Sequence, residues 1–315
     1  MVQGIANTFK TPILLITFSR PDHTRRVFEE IKKQKPKHLF VFQDGAREGV
    51  ETDIDKCKKV RAIFDEPLEW ECELKTFFSE TNMGCGRGPA AAITWFFDNV
   101  EQGIIFEDDC LPSESLFRFY EELLLKYKDD NSIGLITGTN LCSKWKSNKS
   151  DYFLCKTGGA TMGSWASWRR VWQFFDYDMI SWGDDECKKK IRKFVGNSYY
   201  NIFSDELNAF YNNGQTHSWD YQWAYARFLH NTFTVVSSVN QMSNIGFGEE
   251  STHTPYSDDR RANMQRFELT FPLKVGTIKE DKLFDFLIYY KFIYKKQKSL
   301  FLRVLLKLIE IQFCK

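Results

Sequence analysis

Short apolar runs alternate with amphipathic segments along the first 140 residues, and this alternation constrains the fold more than any other feature of the chain. Residues 12–17, 39–42, 72–78, 104–106 and 133–137 read as strands, rich in β-branched and aromatic side chains. Residues 22–33, 53–64, 89–99 and 115–127, lying between them, repeat apolar positions at helical spacing, and Pro89 stands where a first helical turn tolerates a missing N–H. Alternation of this kind predicts an α/β protein with a Rossmann-like, mostly parallel sheet flanked by helices. Ligands of such sheets bind beyond the carboxyl ends of the strands, so the residues that directly follow strands carry most of the functional information.

The strand at 104–106 ends in three consecutive carboxylates, Glu107-Asp108-Asp109, followed by Cys110. Burying one unpaired carboxylate costs several kcal/mol, so a triplet at a strand end implies a cation, basic partners or water. Mg²⁺ and Mn²⁺ fit best: they prefer oxygen ligands, take one or two protein carboxylates, and complete their shells with water and substrate phosphates. A helix N-terminus after Pro112 would favour one or two such acids through its dipole, but three are harder to explain that way.

Two other strand ends fall on the same predicted edge, Ser19-Arg20-Pro21 and Gln43-Asp44-Gly45. Arg20 could pair with a phosphate; Asp44 could accept the ring N–H of a pyrimidine. Each taken alone also reads as a plain turn. The loop Asn82-Met83-Gly84-Cys85-Gly86-Arg87-Gly88-Pro89 is not a dinucleotide fingerprint, because Pro89 stands where the last glycine belongs and the loop follows the third strand rather than the first. It still offers backbone amides and Arg87 near a helix start, a setting for phosphate.

The chain has 315 residues and a formal net charge of +1, enough length for one large or two modest domains and no charge signature for nucleic acid. Its eight cysteines are scattered without the spacing of a zinc site and read as reduced thiols. The first ten residues lack the pattern of a secretory signal, so the expected location is cytoplasmic.

Past Gly138 the composition shifts toward Trp, Gly and Ser. Trp165, Trp168, Trp172 and Trp182 could stack on sugar faces or fill core, and core is the commoner use. Residues 220–229 read as a helix, 232–238 as a strand, and 241–258 as a polar loop long enough to act as a lid. The organisation expected is an α/β ligand-binding half over 1–140, a second half of the same domain over 141–275, and a basic amphipathic tail over 276–315. Apolar residues of that tail recur at helical spacing among lysines and arginines, which suits either an anionic membrane surface or a helix packed on the chain's own core.

In order along the chain, TPILLITFSRPDHTRR, VFQDG, the strand ending in EDD and a Trp-Asp pair at a helix start resemble the GT-A glycosyltransferases related to animal N-acetylglucosaminyltransferase I. The resemblance covers residues 11–140 well and 155–230 loosely. It implies that Asp44 contacts uracil, that Glu107 and Asp108 contact the sugar or ribose, that Asp109 holds Mn²⁺ or Mg²⁺, and that Asp220 is the catalytic base. Many such enzymes use a late acidic or His residue as a further metal ligand, and His253 is the candidate here. Where the family has Trp-Asp-Asp-Trp, this chain reads Trp219-Asp220-Tyr221-Gln222-Trp223. Asp220 could instead cap its helix, and Asp205 and Asp184-Asp185 are rival bases.

The activity implied is metal-dependent, inverting transfer of a sugar, expected from a UDP donor, to a hydroxyl of a glycan or lipid-linked glycan in surface polysaccharide synthesis. A nucleotidyltransferase forming a nucleotide sugar is the first alternative, although Ser19-Arg20-Pro21 lacks the basic, Gly-rich signature expected after its first strand. A non-catalytic glycan-binding protein on a degenerate fold is the second.

Overall fold

A computed structural model describes residues 9–145, 149–157, 163–213, 219–248, 259–294 and 298–314. The first half runs β1 (Ile13–Thr17), α1 (Pro21–Gln34), β2 (His38–Gln43), α2 (Glu51–Phe64), β3 (Glu73–Phe78), α3 (Gly84–Asn99), β4 (Gln102–Glu107), β5 (Cys110–Pro112), α4 (Glu114–Lys126) and β6 (Ile133–Thr137). The second half holds β7 (Tyr152–Cys155), β8 (Trp165–Trp168), α5 (Arg169–Trp172), α6 (Asp185–Val195), α7 (Asn197–Asn213), α8 (Asp220–Leu229), β9 (Phe233–Ser237), β10 (Met242–Asn244), α9 (Lys282–Ile288) and α10 (Leu300–Phe313).

Eight strands form one sheet in the order β3-β2-β1-β4-β8-β6-β9-β7. Neighbours β3, β2, β1 and β4 are mutually parallel, β6 and β9 share their direction, and β8 and β7 run against it. The mostly parallel α/β sheet expected from the sequence is therefore present, with β8 inserted between β4 and β6. Its central strands β1 and β6 are buried along their whole length, which is why they read as continuous apolar runs rather than alternating ones.

Helix α3 begins five residues earlier than expected, at Gly84 rather than Pro89, so the glycine-rich segment is its first turns and Pro89 lies inside the helix. The cause is remote in sequence. The Asp44 carboxylate accepts N–H groups from Met83 and Gly84 at 2.7 and 2.9 Å, satisfying backbone donors that a helix start leaves open.

Trp165, Trp168, Trp172 and Trp182 are all buried. Rings of Trp165, Trp172, Trp219 and Trp223 pack at centroid separations of 4.9–6.4 Å, joining β8 and α5 to α8. Packing, not a sugar platform, explains this cluster. A separate apolar group under α6, α7 and α8 contains Trp182, Ile191, Phe203, Leu207 and Phe228.

Among the described residues the tail holds two α-helices, α9 and α10, rather than one. Phe284, Leu287 and Ile288 of α9, with Leu306 and Ile309 of α10, pack on Leu141, Trp145, Phe153 and Val236. Two acids fasten it: Asp281 caps α9 and accepts Trp145 Nε1–H at 2.7 Å, and Asp285 accepts the Lys156 and Thr157 N–H groups at 2.9 and 2.8 Å. No helix among the described residues is long and apolar enough to cross a membrane.

Candidate active site

Strand register brings the three loops together. Thr17 at the end of β1 pairs with Gln43 at the end of β2, and Ile16 pairs with Glu107 at the end of β4, so Arg20, Asp44 and the acid triplet all leave the sheet at one edge. Pro21 opens α1 and leaves Arg20 at its cap position with its side chain turned toward the acids. Arg20 Nη2 is bonded to Asp108 Oδ1, and Nη1 lies 3.2 Å from Asp109 Oδ2. The expected phosphate arginine is thus already engaged by two carboxylates of the triplet.

A third element closes the site from far along the chain. β10 pairs antiparallel with β5, placing Asn244 opposite Cys110 and bringing residues 244–246 against Asp109. The Ile245 N–H donates to the Asp109 carbonyl at 2.9 Å, and His23 donates from Nε2 to the Ile245 carbonyl at 3.0 Å. Gly246 is required here. A Cβ on it would stand 2.2 Å from Asp109 Oδ2 and 2.6 Å from Arg20 Nη1, closer than any real side-chain contact.

Electrostatically the cluster is short of positive charge. Burial pushes the Glu107 carboxyl well above the usual carboxylate range, the Asp109 and Asp108 charges push it further, Arg20 only partly offsets them, and Asp220 adds to the rise. Burial also raises Asp108 against the pull of Arg20, and its Oδ2 is buried without a hydrogen-bond partner. Ligand atoms of Glu107, Asp109 and Cys110 lie within 4.8 Å of one another. Two hard oxygens beside a surplus of carboxylates fit Mg²⁺ or Mn²⁺. The Cys110 thiol, held protonated by burial and donating to Asp109 Oδ1 at 3.2 Å, does not join a hard-ion shell.

Asp220 is the first residue of α8, while the cap position is Trp219, which makes no side-chain cap bond; Asp220 therefore does not serve as the N-cap. Its carboxylate accepts the neighbouring Tyr221 N–H at 3.0 Å, and its charge is one of those that raise the Glu107 carboxyl and the Cys85 thiol. The rivals are elsewhere. Asp184 caps α6 through the Glu186 N–H, and Asp185 and Asp205 are exposed on α6 and α7.

Two expected donor contacts are otherwise employed. Asp44 accepts four bonds, from Gly45 N at 2.9 Å, Met83 N at 2.7 Å, Gly84 N at 2.9 Å and Asn82 Nδ2 at 3.2 Å, so it holds the α3 start, and a base contact would require one of them to open. The Met83 and Gly84 amides, expected to face phosphate, are the ones it uses. Arg87 is exposed, 4.4 Å above the Tyr177 ring and 3.6 Å from Asp178, rather than against the acids. His253 lies outside the described residues. Sequence reasoning missed His23 and Cys110, which sit close to Arg20 and Asp109 in sequence; Gly246 lies in the segment expected to act as a lid, but its close approach to Asp109 comes only through the β5–β10 pairing.

No family model and no curated protein matches the chain. Among solved structures it is similar to UDP-glucose pyrophosphorylase complexed with UDP-glucose, at 9% identity and TM-score 0.36, with 74% of this chain and 93% of that one covered. It is also similar to 4-diphosphocytidyl-2C-methyl-D-erythritol synthase from Anaerococcus prevotii, at 8% identity and TM-score 0.30, covering 54% of this chain and 76% of that one. HddC from Yersinia pseudotuberculosis stands at 9% identity and TM-score 0.30, with 51% and 78% covered. Likeness at this level is distant and does not select a reaction for this chain.

Proposed function

We propose that this chain is a metal-dependent transferase acting on a nucleotide diphosphate sugar, and that it passes the sugar with inversion to a glycan hydroxyl, the acceptor being free or lipid-linked and the expected donor a UDP-sugar. The observation that carries the reading is Asp220, a carboxylate at the head of α8 within electrostatic reach of Glu107. A hydroxyl nucleophile must lose its proton, whereas a phosphate nucleophile arrives already ionised, so glycosyl transfer needs a base here and nucleotidyl transfer does not.

Asp220 removes the acceptor proton, a contribution of roughly 10²–10⁴-fold in rate. Glu107 and Asp109 would hold Mg²⁺ or Mn²⁺, which would supply charge stabilisation to the departing diphosphate. Arg20, fixed by Asp108 and Asp109, presents its guanidinium at the same strand edge and adds to that stabilisation through whichever N–H groups the acids leave open. Residues 244–246, lying against Asp109, limit water around the leaving group.

Nucleotidyl transfer is the second reading; it is the type of reaction for which UDP-glucose pyrophosphorylase is named, and it would use the same metal ligands. Incubation with UDP-sugars and Mn²⁺, with glycan acceptors in one arm and pyrophosphate in the other, separates the two. Free UDP, lost in chelator and in Asp109→Ala, supports glycosyl transfer. Pyrophosphate-dependent formation of UTP and sugar phosphate overturns it in favour of the second reading, and donor binding without turnover leaves a glycan-binding protein.

A further inference from the structure

Helix α10 is apolar on two opposite faces. One face, with Leu306 and Ile309 buried and Leu302 and Leu305 half-buried, packs on the core of the second half. On the other face Phe301 is 78% exposed, Leu300 70%, Leu308 58%, Val304 51% and Ile311 49%. At 100° per residue these five fall within about 100° of arc, a ridge of roughly 15 Å between Phe301 and Ile311. An apolar helix face of this extent is ordinarily covered. Among the described residues nothing covers this ridge, and it contains half of the ten large hydrophobic side chains that are exposed.

Charge identifies the occupant. Arg303 and Lys307, both exposed, line one border of the ridge one helical turn apart, and Lys298 precedes the helix. From residue 291 onward the sequence holds seven basic residues against the single acid Glu310, and Glu310 is already paired with Lys291. A second copy of the chain docking ridge to ridge would set this positive surface against itself. An anionic bilayer answers both features, with acyl chains for the ridge and headgroups for its rim.

We propose that the exposed ridge of α10 docks the protein on anionic lipid bilayers, the helix lying in the interface plane while its opposite face stays packed on the core. This inference is independent of the reaction proposed above, and its test reads no activity. It also disposes of the choice between membrane and core that the tail sequence leaves open, since each face serves one of them.

The test is flotation of the full chain with vesicles of phosphatidylcholine alone and of phosphatidylcholine containing phosphatidylglycerol. Binding should require the anionic lipid and weaken with salt. Phe301→Ser combined with Leu308→Ser should lower the partition coefficient tenfold or more, because two large apolar side chains leave the acyl region. Arg303→Glu combined with Lys307→Glu should lower it by about fivefold or more per residue. All four side chains are exposed, so the thermal melt should not move; a variant whose melt does move is replaced by Val304→Ser with Ile311→Ser. Absence of binding to anionic vesicles, equal binding to neutral ones, or equal binding by the serine variant overturns the proposal. So does a dimer that the serine variant dissociates, which would assign the ridge to a second copy.

Discussion

Arg20 bridges Asp108 and Asp109, bonded to the first and 3.2 Å from Oδ2 of the second, so the acid cluster carries an internal counter-ion before any metal arrives. Arg20→Met should therefore expose the cluster's own repulsion. The expected loss is about 2–4 kcal/mol in chelator, as for breaking a largely buried ion pair, and Mn²⁺ should restore part of it by replacing the missing positive charge. Urea unfolding with and without Mn²⁺ measures both. A loss that Mn²⁺ does not touch would argue that the carboxylates take no ion.

Gly246→Ala tests the covering segment. The added methyl would meet Asp109 Oδ2 at 2.2 Å, Arg20 Nη1 at 2.6 Å and Asp109 Cβ at 2.7 Å, and the last, fixed to the backbone, cannot swing aside. Overpacking of this kind costs about 1–3 kcal/mol. The variant should melt lower and respond less to Mn²⁺ than the parent. An unchanged melt and metal response would mean that residues 244–246 lift away from the site without cost.

Asp220→Asn should keep donor affinity and lose turnover by about 10²–10⁴-fold, since the amide preserves shape but cannot take a proton. Asp205→Asn, on the exposed face of α7, should leave both unchanged. Comparing donor Kd with single-turnover rate separates the two variants. If Asp205→Asn is the one that loses rate, the base lies on α7 and the role of Asp220 is withdrawn.

Most of the α/β frame was legible because its central strands are buried on both faces and its helices are amphipathic, patterns that a few adjacent residues carry. Convergence of Arg20 and Glu107 followed from strand-end logic alone. What the sequence hid depends on pairing between distant segments. Asp44 reads as a base contact until Met83 and Gly84 are seen to donate to it. The start of α3 was misjudged for the same reason, because its cap comes from the end of β2 rather than from a neighbouring residue. Gly246 is one glycine among 18 until β10 pairs with β5 and lays it over Asp109. The tail reads in sequence as one apolar face among lysines and arginines; that α10 is apolar on a second face emerges only once Leu306 and Ile309 are seen to be covered and Phe301 and Leu308 exposed.

Arg227 offers the last prediction, outside the acid cluster. It is 2% exposed, donates from Nη1 to Thr234 Oγ1 at 2.8 Å, and has no partner for Nε. No carboxylate pairs with it among the described residues; Trp223 and Phe228 rings lie 5.8 and 5.7 Å from the guanidinium. Burial pulls its pKa down to about 10, with Cys155 and Tyr199 only partly opposing. The sign follows from that direction. A folded-state value below the unfolded one means that the charged form is disfavoured in the fold, so the cost is present throughout neutral pH and is relieved as pH rises through about 10. Arg227→Met removes the charge and keeps the volume, and replacing buried ionic groups by apolar ones of similar size is neutral to stabilising by about 1–4 kcal/mol. The methionine variant should be at least as stable as the parent at pH 7, rising by roughly 2–4 °C in Tm per kcal/mol gained. Its advantage should hold constant up to pH 9. A drop in stability of more than about 2 kcal/mol would show instead that an anion compensates the guanidinium in the folded protein.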